Sequence, residues 1–464
     1  MSKKTFHLTS LGCAKNSVDS DSMAQLLMNA DYEPVENPTK ASILIVNTCG
    51  FIGPAREESI NELKKLAAQK QKNQLLIAAG CLTQRYGVEV AKQVPGLDGI
   101  LGTRRWMDIL KVVDQLRASP HPEPVYHLPE SATIGTDEQG ILRASLAGEK
   151  TAYLKIADGC RRPCAFCAIP LIKGTAVSRP LETIVAEARE LREMGIRELI
   201  LVAQDTTDYG HDLGMKDGLA ILLEKLTDEV PEMDWIRIMY AYPGYVTDRL
   251  IEVMSSRKQI LPYLDLPLQH AHPQTLARMK RPAKIEWVHQ TLAKMRTAMP
   301  DPSTGFPTTL AQTRQRLSIR TTFIVGYPGE TEQEFQALID FIQEIRFDRV
   351  GAFKFSFEPG TTSEALGDSV PAEVKDERWE RLMSAQQKIS LQINQSYVGK
   401  TLDVLVEGYD NGMTIGRSYR DAPEIDGLVF AEGRAPIGEI VKVKISGALA
   451  YDLTGTLSAQ PIKR

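Results

Sequence analysis

Eight residues constrain this chain more than any others: Cys160-Arg-Arg-Pro-Cys164-Ala-Phe-Cys167, a CxxxCxxC. Three thiolates in so short a loop repel one another and lose solvation unless a cation holds them. A zinc site ordinarily takes four ligands, and no histidine or fourth cysteine follows at zinc-finger spacing. Three thiolates suit an iron–sulfur cube with one iron left open. The remaining cysteines, Cys13, Cys49 and Cys81, stand far apart in sequence. Six cysteines in a small secreted protein suggest three disulfides, but in a chain of 464 residues they more often mean metal or catalysis. Scattered buried thiols are the plainer alternative.

Position argues against scatter. Thr5 to Ser10 is a strand-like run followed by Cys13; Ile43 to Val46 is an apolar strand followed by Cys49; Leu75 to Ala79 is another, followed by Cys81. Helical patterns separate them, Val18 to Asn29 and Arg56 to Gln71, the second with Ile60, Leu63 and Leu66 on one face. Strand–helix alternation means parallel strands with right-handed crossovers. Each of these cysteines then falls just past the carboxyl end of a strand, on the edge where open α/β sheets bind ligands. The pattern predicts a second three-cysteine cluster.

The same reading divides the chain. Residues 1–118 form an open parallel α/β unit, and 119–148, with Ser-Pro-His-Pro-Glu-Pro, read as a linker carrying a short hairpin. Residues 149–372 form a second α/β series. Its first strand, Ala152 to Ala157, runs into the CxxxCxxC, and a helix from Leu181 to Met194 stops at Gly195. Strands at Glu198–Ala203, Trp235–Tyr240, Tyr263–Leu266, Ser318–Val325 and Val350–Phe355 complete a partial or full barrel. Gln204, Gln269 and Gly326 fall just past strand ends. Residues 373–396 are a connecting helix. Residues 397–464 turn to short strands, Leu402–Val406, Gly427–Phe430, Glu439–Ile445 and Tyr451–Gly455, which make a small antiparallel β-barrel.

Charge and hydropathy exclude several classes. There are 55 Lys and Arg against 59 Asp and Glu, so the chain is no basic, phosphate-coating protein. The tail has eight basic and nine acidic residues, a poor RNA clamp by electrostatics alone. No run reaches the roughly 18 apolar residues of a membrane span, and His7, Thr9 and Ser10 break any apolar stretch after Lys3 and Lys4. The expected location is the cytoplasm, without membrane contact. HExxH and the P-loop are absent, and Gly326-Tyr-Pro-Gly-Glu330 does not match a dinucleotide fingerprint. His270 and His272 read as core or rim histidines, and the run Glu187 to Arg197 as a solvated helix face.

An open iron on a three-thiolate cube can chelate an amine and a carboxylate together, and S-adenosylmethionine offers both. Its reductive cleavage yields a carbon radical that the protein aims and shields. Such a radical removes hydrogen from C–H bonds that no side-chain base deprotonates at neutral pH. A second open cube could carry a sulfur donor. Phe166, between two cluster cysteines, is placed to pack on the cofactor.

The Cys160–Cys167 motif resembles the radical S-adenosylmethionine signature, including its aromatic before the last cysteine. Ser10-Leu-Gly-Cys13-Ala-Lys-Asn, Asn47-Thr-Cys49-Gly-Phe-Ile and Gly80-Cys81-Leu-Thr-Gln-Arg-Tyr86 are similar to the N-terminal domain of the methylthiotransferases, and the tail to their TRAM domain. Cys49-Gly-Phe-Ile, Tyr209-Gly-His-Asp-Leu213, Asp265-Leu-Pro-Leu-Gln-His270, Asp421-Ala-Pro-Glu-Ile-Asp-Gly427 and Ala450-Tyr-Asp-Leu453 most resemble the branch that modifies ribosomal protein uS12. The resemblance implies an enzyme placing a methylthio group on the β-carbon of an aspartate of uS12. It implies two [4Fe-4S] clusters and S-adenosylmethionine as cofactors. Cys160, Cys164 and Cys167 would hold the radical cluster and Cys13, Cys49 and Cys81 the auxiliary one. Phe166, Arg179, Gln204, Arg320 and Gly326 would lie near the cofactor. A flavodoxin or ferredoxin is the expected electron donor, and RNA contact is not required.

There are departures from that family's pattern. Thr175-Ala-Val177 stands where a basic, aromatic, basic stretch is usual, Ala14 replaces a usual proline, and residues 301–315 look like an inserted surface loop. Three other readings stay open at this level: a tRNA adenosine methylthiotransferase, a two-cluster electron carrier without turnover and, more weakly, a non-catalytic ribosome-assembly factor.

Overall fold

The computed structural model describes residues 4–118, 123–130, 141–282, 284–300 and 316–458. The 301–315 insertion lies outside the described residues. The first unit is a six-stranded, wholly parallel sheet in the order Glu33–Pro34, Thr5–Ser10, Ile43–Thr48, Leu75–Gly80, Gly99–Gly102, Val125–His127. Ile43–Thr48 is buried along its whole length because helices cover both faces. Ile43 and Ile45 face one core with Leu27, Val112 and Val113; Leu44 and Val46 face the other with Leu63 and Leu66. That alternation is the pleat itself. The helix Gly53–Gln69, with Pro54 in its first turn, packs the expected Ile60, Leu63 and Leu66 against the sheet.

The second unit is an open seven-stranded sheet in the order Ala144–Leu146, Thr151–Lys155, Glu198–Val202, Trp235–Ile238, Ile260–Asp265, Ser318–Val325, Arg349–Lys354. Only the pairing of Ala144–Leu146 with Thr151–Lys155 is antiparallel. The six parallel strands form the partial rather than the closed form of the expected barrel. The helix Ala372–Gln395 lies along the exposed edge: Trp379 donates to the Ala352 carbonyl at 2.9 Å and Gln386 to the Phe347 carbonyl at 2.8 Å.

The segment read as a linker does more than connect. Val125–His127 extends the first sheet and Ala144–Leu146 the second, so it fastens the two together. The solvated-face reading of Glu187–Arg197 also needs correction. Glu187 is buried against Arg179, and Arg197 is buried between Asp234 and Glu439. The two ends of that run are buried, Glu187 against buried Arg179 and Arg197 against partners nearer the surface.

The tail is a closed five-stranded barrel, Thr401–Asp410, Met413–Ser418, Val429–Glu432, Leu453–Leu457, Ile440–Ala448. One pair, Val429–Glu432 with Leu453–Leu457, is parallel, and all others are antiparallel. It docks on the amino-terminal edge of the second sheet through buried charge. Arg417 reaches Glu198 at 2.7 Å, Arg237 donates to the Tyr419 carbonyl at 2.8 Å, and Arg349 reaches Asp421 at 2.6 Å. The cysteines lie past the opposite, carboxyl ends of the strands.

Candidate active site

Each auxiliary cysteine is delivered by the turn that ends its strand. Gly12, at φ +99°, bends the chain so that Cys13 opens the helix Ala14–Asn29. A Cβ on Gly12 would stand 2.9 Å from the Cβ and 3.0 Å from the Sγ of Cys49, so only glycine lets these two strand ends close. Cys49 follows Ile43–Thr48, and its N–H donates to Ser59 Oγ at 3.0 Å. Cys81 is the first residue of the helix Cys81–Gln93, and a Cβ on Gly50 would meet its carbonyl carbon at 2.9 Å. Burial pushes the Cys81 thiol up to about 12; Lys173 opposes this, while Cys13 and Cys49 add to it. Burial also raises Cys49, with Cys13 adding. The three strand ends form one electrostatic unit.

The second trio sits past the carboxyl end of Thr151–Lys155. Cys160 Sγ accepts from the Arg162 N–H at 3.4 Å. Cys164 Sγ accepts from Arg281 Nη1 at 3.4 Å and lies 3.7 Å from the Tyr242 hydroxyl. Arg281 stacks 4.2 Å above the Tyr242 ring. Arg162 stacks on Tyr245 and pairs with Asp205 at 2.6 Å. Burial pushes Cys160 up to about 11 and Cys167 up to about 12, and neighbouring thiols add to both.

The trios face one another across a shared polar seam. Lys173 bonds Asp19 at 2.8 Å and Asp158 at 2.9 Å, and Lys155 bonds the same two carboxylates. Asp19 comes from the first unit and the other three from the second, and all four are buried. Farther round, Arg56 and Arg85 of the first unit both pair with buried Glu358 of the second. Lys15, two residues past Cys13, lies 3.3 Å from the centroid of the Tyr240 ring at the end of a barrel strand.

Family models match three stretches of this chain: the Uncharacterized protein family UPF0004 over residues 5–102, the Radical SAM superfamily over 154–342 and the TRAM domain over 398–457. Among full-length relatives, the ribosomal protein uS12 methylthiotransferase RimO of Chloroflexus aurantiacus is 47% identical, the match covering 97% of this chain and 99% of the relative. That of Roseiflexus sp. is 44% identical over 98% of each. The chain belongs to the uS12 methylthiotransferase family. Among solved structures, the radical S-adenosylmethionine methyltransferase TsrM of Kitasatospora setae, with cobalamin and a [4Fe-4S] cluster bound, shares the fold. It has TM-score 0.54 at 12% identity, covering 88% of this chain and 81% of that one.

The donor set fits the clusters this family's radical chemistry uses. Among the described residues, no three His, Cys, Asp or Glu side chains converge on a single ion. A cube asks for something different, one thiolate per iron corner, and two groups of three neighbouring thiols supply it. Of the other expected residues, Gln204 donates to Asp158 at 2.7 Å and leaves its Oε1 buried without a partner. That orphaned acceptor beside the CxxxCxxC is the observation that most suggests a polar ligand. Phe166 packs edge-on against Tyr327, 6.5 Å between centroids, bracing the cysteine loop on the Gly326–Glu330 turn. Gly326 holds φ +70°, and a Cβ there would meet Lys375 at 2.4 Å.

Two expected residues have their guanidinium groups engaged within the fold. Arg179 bonds Glu187 and the Lys155 carbonyl, and Arg320 pairs with Asp265 at 2.9 Å and Asp426 at 3.5 Å. His270 is fully buried, as its core reading requires, and its Nδ1 accepts from the His272 N–H at 3.0 Å. The sequence reading missed Arg281 and Tyr242. They lie 117 and 78 residues from the cysteine they contact, with no spacing signal to betray them. It also missed Lys15 and Asp19, although both stand on the helix that Cys13 opens.

Proposed function

We infer that this chain methylthiolates the β-carbon of an aspartate in ribosomal protein uS12. The observation that carries the reading is the juxtaposition of two cysteine trios, each at the carboxyl edge of its own parallel sheet, across a shared seam. Cys160, Cys164 and Cys167 would hold the radical cluster, and Cys13, Cys49 and Cys81 the auxiliary one. When bound, the clusters and S-adenosylmethionine supply a hydrogen-abstracting radical, a methyl group and sulfur.

The chain's own residues set the geometry. Gly12 and Gly50 let three strand ends crowd together. The Asp19–Lys155–Asp158–Lys173 lattice locks one sheet edge to the other, fixing the distance between trios. Gln204 Oε1 is free to meet a donor on the cofactor. Burial holds the Cys81 and Cys167 thiols protonated, so loading each cluster releases protons. The neutral-to-acidic tail suits docking on a basic ribosomal protein. A small redox protein such as a flavodoxin or ferredoxin supplies the electron, and the work takes place in the cytoplasm. No helix among the described residues is long and apolar enough to cross a membrane.

Mass spectrometry of uS12 from cells with and without this gene tests the reading. The expected result is a gain of one SCH₃ less one hydrogen on an aspartate-containing peptide, present only with the gene. An unchanged uS12 beside a modified tRNA adenosine would overturn it.

A further inference from the structure

Among the described residues, most cations around the two trios are matched with anions; Arg281 donates to Cys164 Sγ and the Pro267 carbonyl instead, and Lys15 is the other exception. Lys155 and Lys173 share Asp19 and Asp158. Arg162 has Asp205, Arg161 has Asp208, and Arg320 has Asp265. Lys15 makes no ion pair with any described carboxylate. Asp265 is near enough to act on it, but its oxygens are taken by Arg320 Nη1 at 2.9 Å and the Tyr240 N–H at 3.1 Å. The Lys15 ammonium instead rests on the Tyr240 ring, 3.3 Å from its centroid, beside Cys13. This half-buried ammonium has no carboxylate counter-ion and is available to one, and it stands between the auxiliary trio and the barrel mouth.

We propose that Lys15 is the specificity-determining residue that receives the carboxylate of the substrate aspartate. The inference rests on the functional reading above. A β-carbon destined for sulfur has to lie between the trios, and the carboxylate one bond away then needs a cation at that place. Lys15 is carried by the helix that Cys13 opens and is braced from the barrel by Tyr240, so it touches both halves of the chamber. It reads charge: an asparagine in the same position would present an amide and forfeit a charge-assisted bond.

The test uses cluster-loaded enzyme and purified uS12, in its natural form and with the modified aspartate replaced by asparagine. Binding is measured for wild type, Lys15→Gln and Lys15→Arg. Wild type should prefer the aspartate form by about ten-fold or more, the range of a hydrogen bond to a charged group. Lys15→Gln should lose that preference and Lys15→Arg should keep most of it, both with unchanged iron content and cluster EPR signals. If Lys15→Gln keeps the preference, or loses the auxiliary irons, the inference is overturned. In the first case the carboxylate is read elsewhere; in the second Lys15 is a counter-ion of the cluster. A wild-type enzyme that leaves natural uS12 unmodified in the parallel turnover reaction would overturn the functional reading itself.

Discussion

The two cysteine trios proposed to hold clusters are gathered by opposite constructions. Cys160, Cys164 and Cys167 come from one loop, and their register is set by eight consecutive residues. Cys13, Cys49 and Cys81 come from three strand ends spread over nearly 70 residues and meet only when the parallel sheet has formed. The first is a local motif that the rest of the chain supports. The second is a property of topology: it exists because right-handed crossovers put every strand end on one edge. The difference teaches that a contiguous ligand set tolerates distant disturbance, whereas an assembled one depends on the whole sheet.

The sharpest way to break this comparison is to empty each site in turn. Replacing Cys13, Cys49 and Cys81 by alanine should remove about four of about eight irons and abolish methylthiolation, while reductive cleavage of S-adenosylmethionine continues. Replacing Cys160, Cys164 and Cys167 should remove the other four and abolish both. Iron analysis with product assay after anaerobic reconstitution separates the outcomes. Loss of all irons in either triple variant would mean the sites are not independent.

The same contrast explains what could be read from the residues alone. The strands at Ile43 and Leu75 were legible because both faces are buried, leaving unbroken apolar runs. The auxiliary trio followed from strand order. Met413–Ser418 was not legible. It is a barrel strand carrying Gly416 and buried Arg417, whose partners Glu198 and Glu407 lie elsewhere in the chain, so the apolar alternation that marks a strand is missing. Val125–His127 was hidden by the prolines around it and by its shortness, three residues at the edge of the first sheet beside Gly99–Gly102. In the site, the proposed ligands stand in visible motifs and their supports do not, because a buried ion pair such as Asp19 with Lys155 is set by tertiary distance.

That lattice is the next place to strain the comparison. Asp19→Asn leaves two buried ammonium groups sharing one carboxylate, Asp158. Breaking a buried pair in this way costs on the order of 3–5 kcal/mol. The thermal midpoint should fall, and hydrogen exchange should quicken first along the Ala14–Asn29 helix and the Cys81 turn. The assembled trio should lose iron more readily than the contiguous one. Equal loss from both would remove the asymmetry argued here.

A smaller effect probes the barrel side through pH. Burial pushes His270 down to about 3, opposed by Glu334 and aided by His272 and Arg278. Below its ordinary pKa near 6.5 the unfolded chain takes up a proton that the folded chain refuses. Stability is therefore full above pH 6.5 and declines as pH falls, by about 2 kcal/mol between pH 7 and 5. Glu330, pushed up to about 7 by burial, acts in the opposite sense over this range. The measurement is accordingly the difference between wild type and His270→Gln in unfolding free energy at the two pH values. The variant should lack the His270 share of the decline, and identical pH profiles would show that His270 is not held neutral.

The smallest expected effect is electronic and returns to the sulfurs. Cys164 receives a guanidinium N–H from Arg281, with Tyr242 alongside. In the assembled trio Cys49 receives only a backbone N–H, from Phe51, and Cys81 feels the Lys173 charge without a bond to it. Hydrogen bonds and positive charge at a thiolate favour the reduced cluster. Arg281→Met should lower the radical cluster's midpoint potential by tens of millivolts, the equivalent of about 1 kcal/mol per electron. Arg281→Lys should recover part of it, since the charge returns but the fork that also holds the Pro267 carbonyl does not. Redox titration followed by EPR, in a chain already lacking Cys13, Cys49 and Cys81, isolates that cluster. A potential unmoved by Arg281→Met would mean that the contiguous loop sets its own electronics, and that the contrast between the trios stops at how their ligands are gathered.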